Sequence, residues 1–328
     1  MEKKYTFKVD DLQTQLPELI QNGVTELFIY DEKVSKDKKS VLRIINFIAQ
    51  NAPDLFVSIL VSASVIDREV ASAATQIYCS FDIPLVCQVK GEKLLFDKKF
   101  YAGKAALLND FGLVFGFNLD YAADKGDSLK SFLERLDFAV QQYPNHIQFN
   151  QLDDSFGKEP EVTGFFSAKD IRYARDVAFA CSVFYSCGRA VPWFLSVLKP
   201  LRIYPSSFFS DFAEWQHCNN CDYKSGFNPE KENHSDIEKM QLLFVSEKYE
   251  EKKQNDLILA VSDIIKINGA MSRLVGENTE SVLEVSYHPD DLLGPESMNI
   301  SSFVENVCME NCKVKIFASD EGPDYSIL

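Results

Sequence analysis

Short apolar segments return at even intervals through the first half of this chain, each followed by a stretch with helical spacing. That alternation constrains the fold more than any other feature. The segments are Leu27-Phe28-Ile29-Tyr30, Leu55 to Val61, Ile77 to Leu85, Leu113 to Leu119 and His146-Ile147-Gln148-Phe149-Asn150. They recur roughly every 25–35 residues, the length of one strand–helix unit. A strand that is apolar along its whole length belongs in a sheet covered on both faces, as parallel sheets are. Between the strands, Val41, Ile44, Ile45 and Ile48 mark one side of a helix over residues 36–50, and residues 65–76 read as a short Ala-rich helix. Residues 99–110 hold a third helix. Leu129, Phe132, Leu133 and Leu136 mark a fourth, with Asp127 placed to cap it. An opening helix carries Leu12, Leu16, Leu19 and Ile20 and ends at Gly23; Pro17 either kinks it or marks its first turn. On periodicity alone, five such units fit an incomplete (β/α) barrel and a doubly wound sheet equally well.

The pattern changes after residue 151. Residues 151–164 read as a loop rich in Asp, Gly and Pro. Ser167 with Asp170 resembles a capping box for a buried helix running to about Cys187, where Gly188 stops it. The stretch 189–235, with Pro192, Pro200, Pro205 and both tryptophans, reads as compact but irregular. Residues 236–274 read as two helices that break near Gln254. Strands are expected at Ser281 to Tyr287 and Val314 to Phe317 around a helix at about 300–309, with a frayed tail after Ser319. The expected fold class is α/β: parallel strands over residues 1–165, which a family resemblance implies form a partial (β/α) TIM-like barrel, then a mainly helical C-terminal region over 166–328 with a small β element.

With 328 residues and 46% apolar content, the chain has material for a real core. Its 49 acidic against 34 basic side chains give a net charge of −15, which repels phosphate. Nucleic acid and membrane are therefore not expected partners, whereas a protein partner or a small molecule is compatible with that balance. The opening residues lack the pattern of a signal peptide. The eight cysteines are then read as mostly reduced in a cytoplasmic protein.

Particular stretches carry a resemblance. They are Glu26 to Asp31, Lys104 to Asp120 (with Asn109-Asp110-Phe111-Gly112 leading into Leu113-Val114-Phe115-Gly116-Phe117), Asp127 to Phe132, Tyr143 to Phe149, and Arg172 to Ala178 with Gly188 to Phe194 after it. In that order, over about residues 10–195, they resemble the radical S-adenosylmethionine superfamily, in particular the group that often carries a cobalamin-binding domain before the barrel. The resemblance implies S-adenosylmethionine and a 4Fe-4S cluster held by a C-x-x-x-C-x-x-C loop after the first barrel strand. No such spacing occurs in this sequence, whose first cysteine is Cys79. The family's Gly-Leu-Pro-Gly-Asp turn is matched by Ala122 to Asp127, where only Gly126 and Asp127 survive. A Gln-Ser-Gly-type segment is replaced by Pro84 to Gln88. The resemblance implies either a homologue that kept the scaffold without the cluster loop, acting as a binding or partner protein, or part of a longer active enzyme. A third reading is an unrelated α/β ligand-binding domain.

Barrel sites lie at the carboxyl ends of strands, where Asp31, Asp120, Asn150 and Gln151 fall. The resemblance would place Asp31 with Glu32 near the amino group of S-adenosylmethionine; the simpler alternative is that these residues end strands and cap helices. Asp82 stands inside an apolar strand. A buried carboxylate requires partners or lines a cavity, unless the strand is shorter and Asp82 faces outward. Cys218 with Cys221, and Cys308 with Cys312, supply four thiols that would hold zinc or an auxiliary cluster if the pairs met. Ordinary packing is the alternative.

Overall fold

The computed structural model describes residues 9–90, 93–122, 126–152, 160–320 and 322–328. The chain divides into two compact units, Met1–Ile171 and Arg172–Leu328.

The first unit opens with α1 (Val9–Gln21), which keeps Pro17 inside it. Strand β1 (Glu26–Ile29) leads through a short α2 (Glu32–Ser35) to α3 (Lys38–Asn51). Then come β2 (Phe56–Leu60), α4 (Arg68–Ala74) and β3 (Cys79–Pro84). A small antiparallel pair, β4 (Gln88–Lys90) and β5 (Lys93–Leu95), precedes α5 (Lys98–Asp110). The unit continues with β6 (Val114–Asn118), α6 (Leu129–Val140) and β7 (His146–Gln148).

Strands β1, β2, β3, β6 and β7 form one sheet in that order, and every neighbouring pair is parallel. This order decides between the two architectures that periodicity left open. A doubly wound sheet reverses its strand order at a switch point. Here the strands of the sheet are added in chain order, so crossovers of one hand lay the helices on one side, as in part of a barrel. Accordingly α1 packs on α3, α3 on α4, and α4 on α5.

Register sorts the two faces. Ile59, Phe81 and Phe115 are aligned, and with Val57, Ile83, Phe117 and Ile147 they are at most 1% exposed. This uniformly apolar face meets residues such as Val41, Ile44, Ile45 and Ile48 of α3, also at most 1% exposed. The opposite, inner face holds Ser58, Ser80, Asp82, Gly116, Asn118, His146 and Gln148.

Local chemistry corrects one sequence expectation. Ser128, not Asp127, caps α6, accepting from the Ser131 N–H at 3.2 Å. Asp127 is buried instead and takes Arg135 at 2.7 Å, while Arg135 also donates to the Asp120 carbonyl. This pair holds the turn after β6, of which Ala123, Asp124 and Lys125 lie outside the described residues. So do residues 153–159 of the loop expected after residue 151.

Helix α7 (Ala168–Cys181) begins in the first unit, at a reciprocal capping box, and continues into the second. Ser167 Oγ accepts from the Asp170 N–H, and Asp170 accepts from the Ser167 N–H at 3.0 Å. The helix widens into a π-helical segment, Ser182–Cys187. The following stretch is not irregular: it folds as α8 (Phe194–Leu201) and α9 (Pro205–Cys218). Pro205 occupies the first turn of α9, where no N–H is needed, and Pro200 lies in the last turn of α8. Phe184 packs edge-on to Phe194, Phe208, Phe212 and Phe244, which explains why an aromatic-rich segment can fold around these prolines. Next come α10 (His234–Glu251) and α11 (Ile258–Glu277), with the expected break near Gln254. Strand β8 (Ser281–Val285), α12 (Pro289–Leu293), α13 (Ile300–Asn306) and β9 (Cys312–Ser319) follow. The tail does not fray: β10 (Gly322–Ile327) pairs antiparallel with β9, giving a sheet of order β10-β9-β8.

Candidate functional site

The inner face gathers its polar groups around Asp82. Register aligns Leu60, Asp82, Gly116 and His146 across four adjacent strands: Leu60 ends β2, Gly116 lies in the middle of β6 and His146 opens β7. Asp82 is 1% exposed. Its Oδ1 lies 2.6 Å from His146 Nε2. Its Oδ2 accepts from Ser58 Oγ at 2.8 Å and from the Tyr30 hydroxyl, which follows β1. Tyr30 Oη also stands 3.5 Å from Gln148 Oε1. Burial pushes the Asp82 carboxyl up, but the bonds from His146, Tyr30 and Ser58 outweigh it and hold the group below the usual 3.8.

Gly116 makes the His146 contact possible. It lies on the strand between Asp82 and His146, and the imidazole crosses over it. A Cβ built on Gly116 would stand 2.1 Å from His146 Nε2, well inside van der Waals contact. The His146 side chain keeps 31% of its surface exposed, while that of Asp82 keeps 2%. Two further polar atoms on this face, Ser80 Oγ and Asn118 Oδ1, are buried with no hydrogen-bond partner among the described residues. Each such orphan is unfavourable by about 1–3 kcal/mol and calls for a partner.

The other expected residues have local employment. Asp31 Oδ1 caps α2, accepting from the Lys33 and Val34 N–H groups. Glu32 is exposed, 3.7 Å from Lys36. Asp120 accepts from the Asn150 backbone and side-chain N–H groups, both at 3.0 Å. Gln151 donates to the Tyr121 carbonyl at 2.9 Å, leaving its buried Oε1 without a partner among the described residues. The structure therefore draws Asp82 alone of the six into the inner-face cluster. Tyr30, Ser58, Gly116 and His146 were not singled out by sequence. A glycine inside the apolar run Val114 to Asn118 was the one available signal of a close approach.

The cysteine pairs do not meet. Among the described residues, no three His, Cys, Asp or Glu side chains converge as metal ligands. Cys218 ends α9 and is exposed, whereas Cys221 is buried, 3.6 Å from the Gln216 carbonyl. Cys312 opens β9 and Cys308 is exposed. Among the described residues the four-thiol site is thus not formed. A cleft of about 300 Å³ lies near Cys218 and Cys221, walled by Tyr173, Phe179 and Tyr223, but its polar groups largely bond to one another, as Tyr173 does with Ser210 and His217 with Asp222.

Fold and site together define an α/β partial barrel with a buried, histidine-bearing carboxylate on the inner face of its sheet. No family model matches the chain, and no curated protein matches it. Solved structures of a radical S-adenosylmethionine methyltransferase, TsrM, from Kitasatospora setae do match, at 10% identity. One holds cobalamin and a 4Fe-4S cluster and has a TM-score of 0.34; the other holds tryptophan substrate and a S-adenosylmethionine analogue and has a TM-score of 0.35. Each match covers 43% of this chain, and the chain spans 28% and 30% of those enzymes. A likeness of this size carries no argument about chemistry. Among the described residues, no helix is long and apolar enough to cross a membrane.

Proposed function

We propose that this chain is a binding protein that holds a small polar molecule against the inner face of its partial barrel, and that it does not run radical chemistry with the residues it has. The observation that carries this reading is the Asp82 cluster: a buried carboxylate whose partners Tyr30 and His146 are themselves partly exposed. The buried, unpartnered oxygens of Ser80 and Asn118 support it, because a polar ligand supplies what the chain does not. The residues do not fit a cluster. The sequence holds no C-x-x-x-C-x-x-C, and no thiol lies in the Asp82 group. S-adenosylmethionine would have to be held without Asp31 Oδ1, which is engaged in the cap of α2.

The test is a thermal-shift screen of the whole chain against polar metabolites, S-adenosylmethionine included. A ligand at a hundred times its Kd stabilises by about 2.7 kcal/mol, a shift of several degrees. At least one compound should raise the midpoint of the wild-type chain and lose that effect in Tyr30→Phe and His146→Ala. A screen without hits, or hits equal in the variants, sinks the reading.

A further inference from the structure

Resting on the inner face as the ligand site, we infer that His146 is a general base whose Nδ1 lone pair removes an acidic proton from a small polar substrate. The argument begins with what Asp82 can do. An ionised carboxylate only accepts, and Asp82 already takes the hydroxyl protons of Ser58 and Tyr30 on Oδ2. At 2.6 Å from Oδ1, His146 Nε2 must therefore carry the hydrogen. In the neutral form of the ring the lone pair then lies on Nδ1. No second hydrogen-bond partner for the ring is found among the described residues, and part of the side chain is accessible. The fixed tautomer, the buried carboxylate behind it and the cleared space at Gly116 make a proton-transfer pair of the kind in which a carboxylate orients an imidazole and stabilises its charged form.

The step balances without a co-reactant. The Nδ1 lone pair takes the proton of a substrate X–H bond, and the bonding electrons remain on X. The imidazolium so formed keeps Nε2–H on Asp82 until it returns the proton to the substrate or to water. The alternative use of an Nδ1 lone pair, metal ligation, lacks further ligands among the described residues. The substrate class is a small polar molecule with one acidic proton.

Two measurements on the whole chain test this. The probe reaction is elimination of 5-nitrobenzisoxazole, in which a base takes the C3 proton, the N–O bond breaks and a phenolate leaves. The wild-type chain should accelerate it, and the rate should fall at least about tenfold in His146→Ala and in Asp82→Asn, whose amide can donate to Nε2 and fix the wrong tautomer. A wild-type rate equal to that of His146→Ala overturns the inference. Nitrogen NMR of histidine-labelled protein, with His146 assigned by its loss in His146→Ala, reads the tautomer independently of whether the probe enters. Nε2–H is expected, and Nδ1–H overturns the inference whatever the rates. A failed ligand screen combined with both expected results would remove the binding reading and leave the base. A bound ligand with the Nδ1–H form would do the reverse.

Discussion

An ionised carboxylate at Asp82's depth is unfavourable by several kcal/mol unless its lone pairs are taken up. Three side chains from three other segments do so. The arrangement fixes the sign of its pH dependence. Because the folded value lies below 3.8, Asp82 contributes stability that is fully present above that value and lost as pH falls through the lowered one. The wild-type unfolding midpoint should therefore drop more steeply below about pH 4 than that of Asp82→Asn, as thermal scans across pH would show. Gly116→Ala places a carbon where the imidazole lies. It should cost about 1–3 kcal/mol in urea unfolding, as overpacking does, and move the His146 NMR signals.

At the scale of elements, buried polar groups pin turns and helix ends. Arg135 holds Asp127 and the Asp120 carbonyl, joining α6 to the turn before it. Arg135→Ala should cost about 3–5 kcal/mol, while Asp127→Leu with Arg135→Met should recover much of it in denaturant titrations. In the second unit, His234 Nε2 lies 3.2 Å from the Gly188 carbonyl just after the π-helical segment, and Gln241 donates to the same carbonyl. Burial, with Arg189 nearby, pushes His234 down from 6.5 to about 4. The unfolded chain therefore binds the proton first, and stability present above pH 6.5 is lost as pH falls toward 4. His234→Gln should flatten the thermal midpoint across that window.

Two kinds of element escaped the sequence for different reasons. Pro200 and Pro205 look like breakers, yet one sits in a last helical turn and the other in a first turn. Gly322-Pro323-Asp324 looks like a loose end, yet β9 offers it an edge to pair with. Four of the five parallel strands were legible as apolar runs of strand length, and the fifth, His146-Ile147-Gln148, from its spacing one strand–helix unit further on. The site was only partly legible. Asp82 announced itself as a charge among apolar residues, but Tyr30, Ser58 and His146 lie 52, 24 and 64 residues away. Only strand order and register make them neighbours, and neither is written in local periodicity.

At the scale of the whole molecule, net charge and topology act separately. The charge of −15 opposes polyanions, so the chain should pass unretained over heparin at roughly 0.15 M salt, where the Debye length is about 8 Å. Retention under those conditions would reveal a local basic pocket stronger than the overall field. The strand register, by contrast, gives the five-stranded sheet of the first unit two different faces: one uniformly apolar, the other carrying the polar groups.

Gly116 has no side chain to bond, ionise or react, yet the geometry at its Cα bears on who can replace it. Every other amino acid adds a Cβ, and that atom collides with His146 in the same place whatever follows it. A saturation library scored for the His146-dependent property should therefore show position 116 as flat and intolerant as position 146. Ser80, also buried on that face but one pleat away, should accept Ala or Cys more readily. The footprint of the site in such a map would be drawn as much by an absent side chain as by those that do the chemistry.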